Sequence, residues 1–331
     1  MELNLFALFL IIIAFNIFLN IYIKFSFKYN LVSIPKKRDS HKTITPKGGG
    51  IVIYFVLVLF LLFKIYNNNI DDFDIAILIS TPIITILSFF DDKYNINWKY
   101  KLLLDFITVI IIFLFLYNQF NLIYFEFIYW IFFPFLILSL MWFINLINFT
   151  DGSDGFLTLF TIINFLTIFL VKFILNFDIF ISSIIFIILI FNFLFYNLKP
   201  AKIFLGDTGS RLIAVIFIIS MMFDYIYYDI TIIKIWLFTL SIALIDTGIT
   251  LIQRLIIHHN ILQEHKDHAF QILANRYNHN YSILWLIFNY IFIIFPILTL
   301  NFLEIISFLL SASLIIFLLM IQILYIKIKL K

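Results

Sequence analysis

Asn145-Leu146-Ile147-Asn148-Phe149-Thr150-Asp151-Gly152-Ser153-Asp154-Gly155 separates two long apolar stretches, 121–147 and 157–175. Each stretch is long enough to cross a bilayer core, which takes about 20 apolar residues as a helix. The polar turn between them carries two aspartates and two glycines. Lipid forces every backbone polar group into an internal hydrogen bond, so consecutive spans of this kind are helices. The same reading extends in both directions. Hydrophobic residues make up 64% of the 331 and charged residues only 12%, a composition of polytopic membrane proteins rather than soluble domains.

About eleven stretches qualify as spans: roughly 3–27, 48–66, 73–90, 102–118, 121–147, 157–175, 178–197, 210–227, 230–257, 282–302 and 304–326. The first lacks a basic flank and a small-residue cleavage site, and is expected to be a retained membrane helix. Loop charges orient the bundle. With the N-terminus outside and the C-terminus in the cytoplasm, the outer side keeps only Lys64, Lys172 and Lys234 of the 22 Lys and Arg. The fold class expected is therefore all-α: a polytopic helical bundle, one integral membrane domain over 1–331, with no nucleic-acid partner. The chain has no cysteine, so disulfides, zinc–thiolate sites and thiol nucleophiles are excluded.

This topology places three acidic turns on the cytoplasmic side. Asp91 and Asp92 close the third span directly after Phe89 and Phe90, near headgroup depth, and Lys93, Lys99 and Lys101 follow. Unpaired carboxylates are costly there, and the lysines suit a lipid phosphate. A solvated helix end is the alternative, and Asp71-Asp72 on the outer side reads as an idle pair of that kind. In the second turn Asn148, Asp151 and Asp154 share one side if the helix end persists; the alternative is a plain polar connection. The third turn, Phe204-Leu205-Gly206-Asp207-Thr208-Gly209-Ser210, precedes a helix. Such glycine-containing turns bind phosphates through backbone N–H groups, and Asp207 would repel phosphate unless a divalent metal bridges them. The same residues also suit an N-cap. His258, His259, His265 and His268 follow the ninth span without a zincin motif. Asp246 lies inside that span and reads as a structural hydrogen-bond partner facing the bundle interior.

These blocks together resemble the polyprenyl-phosphate N-acetylhexosamine-1-phosphate transferase superfamily, glycosyltransferase family 4. The resemblance is carried by Pro35-Lys36-Lys37-Arg38-Asp39-Ser40-His41 with Thr45-Pro46-Lys47-Gly48-Gly49-Gly50, by Asp91-Asp92, by the 148–155 and 204–210 turns, and by the 258–271 loop. It implies transfer of a sugar 1-phosphate from a UDP-N-acetylhexosamine to undecaprenyl phosphate, with release of UMP. The cofactor implied is Mg²⁺, with Mn²⁺ as a substitute. The reaction would run on the cytoplasmic face of the inner (plasma) membrane. Carried over by position, Asp91, Asp92 and Asp207 are catalytic, and Asp207 with Asp151 meets the metal. Phe204 stacks on uracil, and Asn148, Asp151 and Asp154 shape the nucleotide site. Lys101 meets the lipid phosphate, and Thr45 and Lys47 belong to a first-loop substrate motif. His265 and His268 bind the diphosphate. Whether Asp91 is a base or a positioning group stays open, and the resemblance also admits a homodimer.

The last cytoplasmic loop, Glu264-His265-Lys266-Asp267-His268-Ala269-Phe270-Gln271, departs from the His-x-His-His form of the best-known members. It resembles the branch that initiates O-antigen synthesis. Three rivals stand beside this reading: a transporter or flippase of a polyprenyl-linked anionic lipid, a non-catalytic homologue, and the same chemistry serving a capsule or a teichoic-acid linkage. Transporters place charges and broken helices near mid-membrane, whereas most carboxylates singled out here lie at one face.

Overall fold

The computed structural model describes residues 5–35, 43–119, 127–228, 230–257 and 266–330. His258, His259, His265 and the whole of 36–42 lie outside the described residues. The helices in chain order are α1 (Leu5–Lys28), α2 (Gly50–Tyr66), α3 (Asp72–Tyr94), α4 (Trp98–Gln119), α5 (Phe127–Thr150), α6 (Phe156–Ile174) and α7 (Ile181–Asn197). They continue with α8 (Gly206–Tyr228), α9 (Ile230–Ile256), α10 (Ala269–Arg276), α11 (His279–Asn289), α12 (Phe295–Phe302) and α13 (Phe308–Lys329). A two-residue antiparallel ribbon pairs β1 (Val32–Ser33) with β2 (Thr45–Pro46), Ser33 opposite Thr45.

Nine helical segments among the described residues are long and apolar enough to cross a membrane. The helices α2 and α7 are apolar too, but each has 17 residues. At a rise of 1.5 Å they reach about 25 Å, short of a core about 30 Å thick. Between α11 and α12 the backbone widens into a π-helical turn over Tyr290–Ile294, and Pro296 stands at the start of α12. A proline has no N–H for the α ladder and crowds the preceding turn, which the wider turn relieves.

Helix ends explain part of the high asparagine content. Asn30, Asn68, Asn95 and Asn176 adopt φ of 56°, 55°, 51° and 56°, just after α1, α2, α3 and α6. The left-handed conformation ends a helix, and asparagine tolerates it best after glycine. This chain has only 8 glycines.

The described chain groups into two compact units, each discontinuous in sequence. One contains α1 to α4, most of α5, α7 and most of α8; the other contains α6 and α9 to α13.

Two of the lysines expected on the outer side are not free loop charges. Lys64 is buried and pairs with Asp74 and, at 3.0 Å, with Asp71. Asp71 also caps α3 by accepting from the Asp74 N–H at 3.0 Å, so the expectation that Asp71-Asp72 is an idle pair is wrong for Asp71. Lys172 pairs with buried Asp224. The orientation predicts the labelling of this cysteine-free protein by a membrane-impermeant thiol reagent. Asn68→Cys should be modified in intact cells and Lys266→Cys only after permeabilisation. The opposite pattern would overturn the N-out assignment.

Candidate active site

The first unit gathers the first and third acidic turns and the ribbon. Phe204 N–H donates to Pro46 O at 2.9 Å, Gly49 N–H to Phe204 O at 3.0 Å, and Gly50 N–H to Leu205 O at 3.1 Å. These bonds lay the 46–50 strand end along the entry to α8. There the N-terminal turns of α2 and α8 cross backbone to backbone: a Cβ on Gly50 would overlap the backbone of Thr208 and Gly209. Small residues permit such close helix approach in a membrane.

The 204–210 turn does not precede its helix as expected; from Gly206 onward it forms the first turn of α8. Its cap comes from another helix. Asp92, in the last turn of α3, accepts from Asp207 N–H at 3.1 Å, Thr208 N–H at 3.2 Å and Thr208 Oγ1 at 2.6 Å. The first N–H groups of a helix lack intrahelical partners and carry the positive end of its dipole, so a buried carboxylate is well placed there. Gly206 has φ +72°, and a Cβ on it would strike the Asp92 carboxylate. Glycine is required there on both counts. Asp92, expected to be catalytic, is 5% exposed, and its carboxylate is consumed in holding Asp207 in place.

Asp91 and Asp207 are bridged by Lys101. The ammonium pairs with Asp91 Oδ2, and lies 3.0 Å from Asp207 Oδ2. Asp91 Oδ1 accepts from Ile96 N–H at 2.6 Å. The side chains of Lys101 and Asp207 are 30% and 28% exposed, against 6% for Asp91. Of the three, Lys101 and Asp207 are the more open to a ligand. Thr45 is buried in the ribbon, and Lys47 is anchored through its backbone, its carbonyl accepting from Tyr22 Oη at 2.8 Å.

One turn deeper on α8, Arg211 pairs with Asp105 of α4. Asn145 Nδ2 donates to the other Asp105 oxygen at 3.0 Å, and Ser210 Oγ donates to Asn148 Oδ1 at 2.6 Å. Neither Arg211 nor Asp105 belongs to the three acidic turns. Their signal was available: an Asp inside a span and an Arg one turn after Asp207 both demand a buried partner.

The 151–155 turn belongs to the second unit. The helix ends at Thr150, so Asn148, Asp151 and Asp154 do not continue along one helical side. Asp154 N–H donates to His279 Nδ1 at 2.8 Å, with Ser153 Oγ 3.1 Å from the same nitrogen and 2.8 Å from Ser282 Oγ. An Nδ1 that accepts an N–H fixes the imidazole as its Nε2–H tautomer. His279, overlooked in the sequence, thus shapes the turn that carries Asp154. His268 is buried between Phe149 and Phe270 and lies 3.5 Å from Asp246.

The donor set suits a cation that arrives with a ligand. Among the described residues no three His, Cys, Asp or Glu side chains converge as a metal cage. Magnesium is commonly held by one or two carboxylates plus substrate phosphates. In the first unit, Asp207 is the more exposed carboxylate of the Lys101 bridge and stands in the opening turn of α8.

A match to the family model for glycosyl transferase family 4 spans residues 74–225, from α3 through α8. The chain is 29% identical over 276 residues to a probable undecaprenyl-phosphate N-acetylglucosaminyl 1-phosphate transferase of Bacillus subtilis (strain 168), covering 79% of this chain and 75% of that one. It is 33% identical over 200 residues to a phospho-N-acetylmuramoyl-pentapeptide-transferase of Staphylococcus aureus (strain bovine RF122 / ET3-1), and 32% identical over 201 residues to one of Staphylococcus epidermidis (strain ATCC 35984). Each of these two alignments covers 53% of this chain and 61% of the relative's length, under two thirds. The family model and these relatives match the polyprenyl-phosphate hexosamine-1-phosphate transferase superfamily, glycosyl transferase family 4. The matched segment contains Asp91, Asp92, Lys101, Asn148, Asp151, Asp154, Phe204 and Asp207.

Proposed function

We propose that the protein transfers an N-acetylhexosamine 1-phosphate from a UDP-sugar to undecaprenyl phosphate at the cytoplasmic face of the plasma (inner) membrane. The products are UMP and the first lipid-linked intermediate of O-antigen or another cell-surface polysaccharide. The observation that carries this reading is the Asp91–Lys101–Asp207 bridge beside the capped first turn of α8.

In this reaction an oxygen of the lipid phosphate attacks the phosphorus attached to the sugar. A new P–O–P bond forms, and the bond to the leaving UMP breaks. Phosphoryl transfer asks chiefly for in-line positioning and charge neutralisation. Lys101 supplies a cation to the acceptor phosphate. That phosphate has its second pKa near 6 and is already largely dianionic at neutral pH, so no base is required. Both oxygens of Asp91 are engaged, by Ile96 N–H and Lys101, which supports a role in orienting Lys101. Bound Mg²⁺, or Mn²⁺, would neutralise the diphosphate and stabilise the departing UMP, and Asp207 is the residue proposed to hold it. Phe204 is proposed to stack on uracil. Roles for Asn148, Asp151 and Asp154 at the nucleotide and for His268 at the diphosphate rest on the sequence motifs. The O-antigen assignment rests on the form of the 264–271 loop.

The test is UMP release by the purified protein with undecaprenyl phosphate and Mg²⁺ across a panel of UDP-N-acetylhexosamines. UMP formed with one donor supports the reaction and names the sugar. Saturable lipid translocation by folded protein, with no UMP from any donor, would replace it with the flippase reading.

A further inference from the structure

The last membrane helix reaches into the second unit's histidine turn. Lys327 lies near the end of α13, two residues before exposed Lys329, yet it is only 6% exposed. Its Nζ bonds Thr250 Oγ1 and lies 3.2 Å from Asp246 Oδ1, both on α9. The Asp246 carboxylate, 2% exposed, accepts the Ala269 N–H with both oxygens, at 3.1 and 3.0 Å. Ala269 is the first residue of α10, so Asp246 caps this helix as Asp92 caps α8. His268 Nδ1 lies 3.5 Å from Asp246 and 3.3 Å from Thr250 Oγ1. One residue earlier, Asp267 pairs with Arg254 of α9 at 2.8 Å.

A buried carboxylate needs a counter-charge, and Lys327 supplies one to the group that holds Ala269 and faces His268. We propose that Lys327 is a positioning residue: through Asp246 it fixes the 266–269 turn and the ring of His268. The proposal deepens the reading of His268 as a donor-binding residue and, for its effect on catalysis, rests on it.

Hydrogen–deuterium exchange over 266–276 and steady-state kinetics of the full-length protein test the idea, using Lys327→Met and Lys327→Arg. In Lys327→Met, exchange at this segment should rise at least tenfold while the rest of the protein keeps wild-type protection. KM for the UDP-sugar should rise about tenfold, with kcat and the KM for undecaprenyl phosphate within twofold. Lys327→Arg, which restores a cation, should recover most of both changes. Unchanged exchange in Lys327→Met, or exchange raised throughout the protein, would overturn the proposal. Raised local exchange with an unchanged donor KM would support the positioning role and sink His268 as a donor ligand. If Lys327→Met does not fold, Lys327→Met combined with Asp246→Asn removes both charges and carries the same readouts.

Discussion

Asp207→Asn is expected to lower UMP release by about 10²–10³-fold, the usual cost of losing one preorganised electrostatic contact to a transition state, while the protein stays folded. Folding should survive because the α8 cap uses the backbone N–H of Asp207, which asparagine retains, and the Thr208 bonds to Asp92 are untouched. Lys101 keeps its pair with Asp91, so the acceptor-side cation also stays in place. What the variant removes is the exposed carboxylate proposed to carry Mg²⁺, so raising Mg²⁺ should recover little activity. The measurement is the initial rate of UMP formation against Mg²⁺ concentration for both proteins. Turnover within tenfold of wild type at every concentration would sink Asp207 as the metal ligand.

Arg211→Met should strongly destabilise the protein. Removing one partner of a buried ion pair strands the other charge, at a cost of about 3–5 kcal/mol. Here the stranded group would be Asp105, which is 0% exposed and left with Asn145. The melting temperature in detergent reads the effect. Arg211→Met combined with Asp105→Leu should recover most of the loss, because apolar replacement of a whole buried pair is often neutral. A single variant that melts with wild type would show that the pair contributes nothing to stability. A double variant no better than the single would mean that Arg211 acts through another partner.

The helical bundle was legible because the bilayer leaves so few options. Runs of about 20 apolar residues must be helical, and the polar turns between them stand out sharply against a 64% hydrophobic background. Asp91, Asp92 and Asp207 could be singled out for the same reason: charge beside apolar helix is expensive. The division of labour among them was not legible. Asp91 and Asp92 are neighbours of identical chemistry, and a helix turns about 100° between them. One therefore faces Lys101 and the other the start of α8. His279 and Lys327 were missed because a histidine after a polar turn and a lysine near a chain end look like surface groups. In the structure both are buried and hydrogen-bonded.

The sequence by itself determined the class of fold and the identity of the charged turns, since each follows from composition, spacing and the cost of charge in lipid; the family entered through the resemblance of its motif blocks. Only the tertiary structure decided which carboxylate is the more exposed and which caps a helix. That distinction depends on contacts between residues more than a hundred positions apart, such as Asp92 with Thr208 and Lys101 with Asp207. No local pattern encodes such partners; helix packing brings them together.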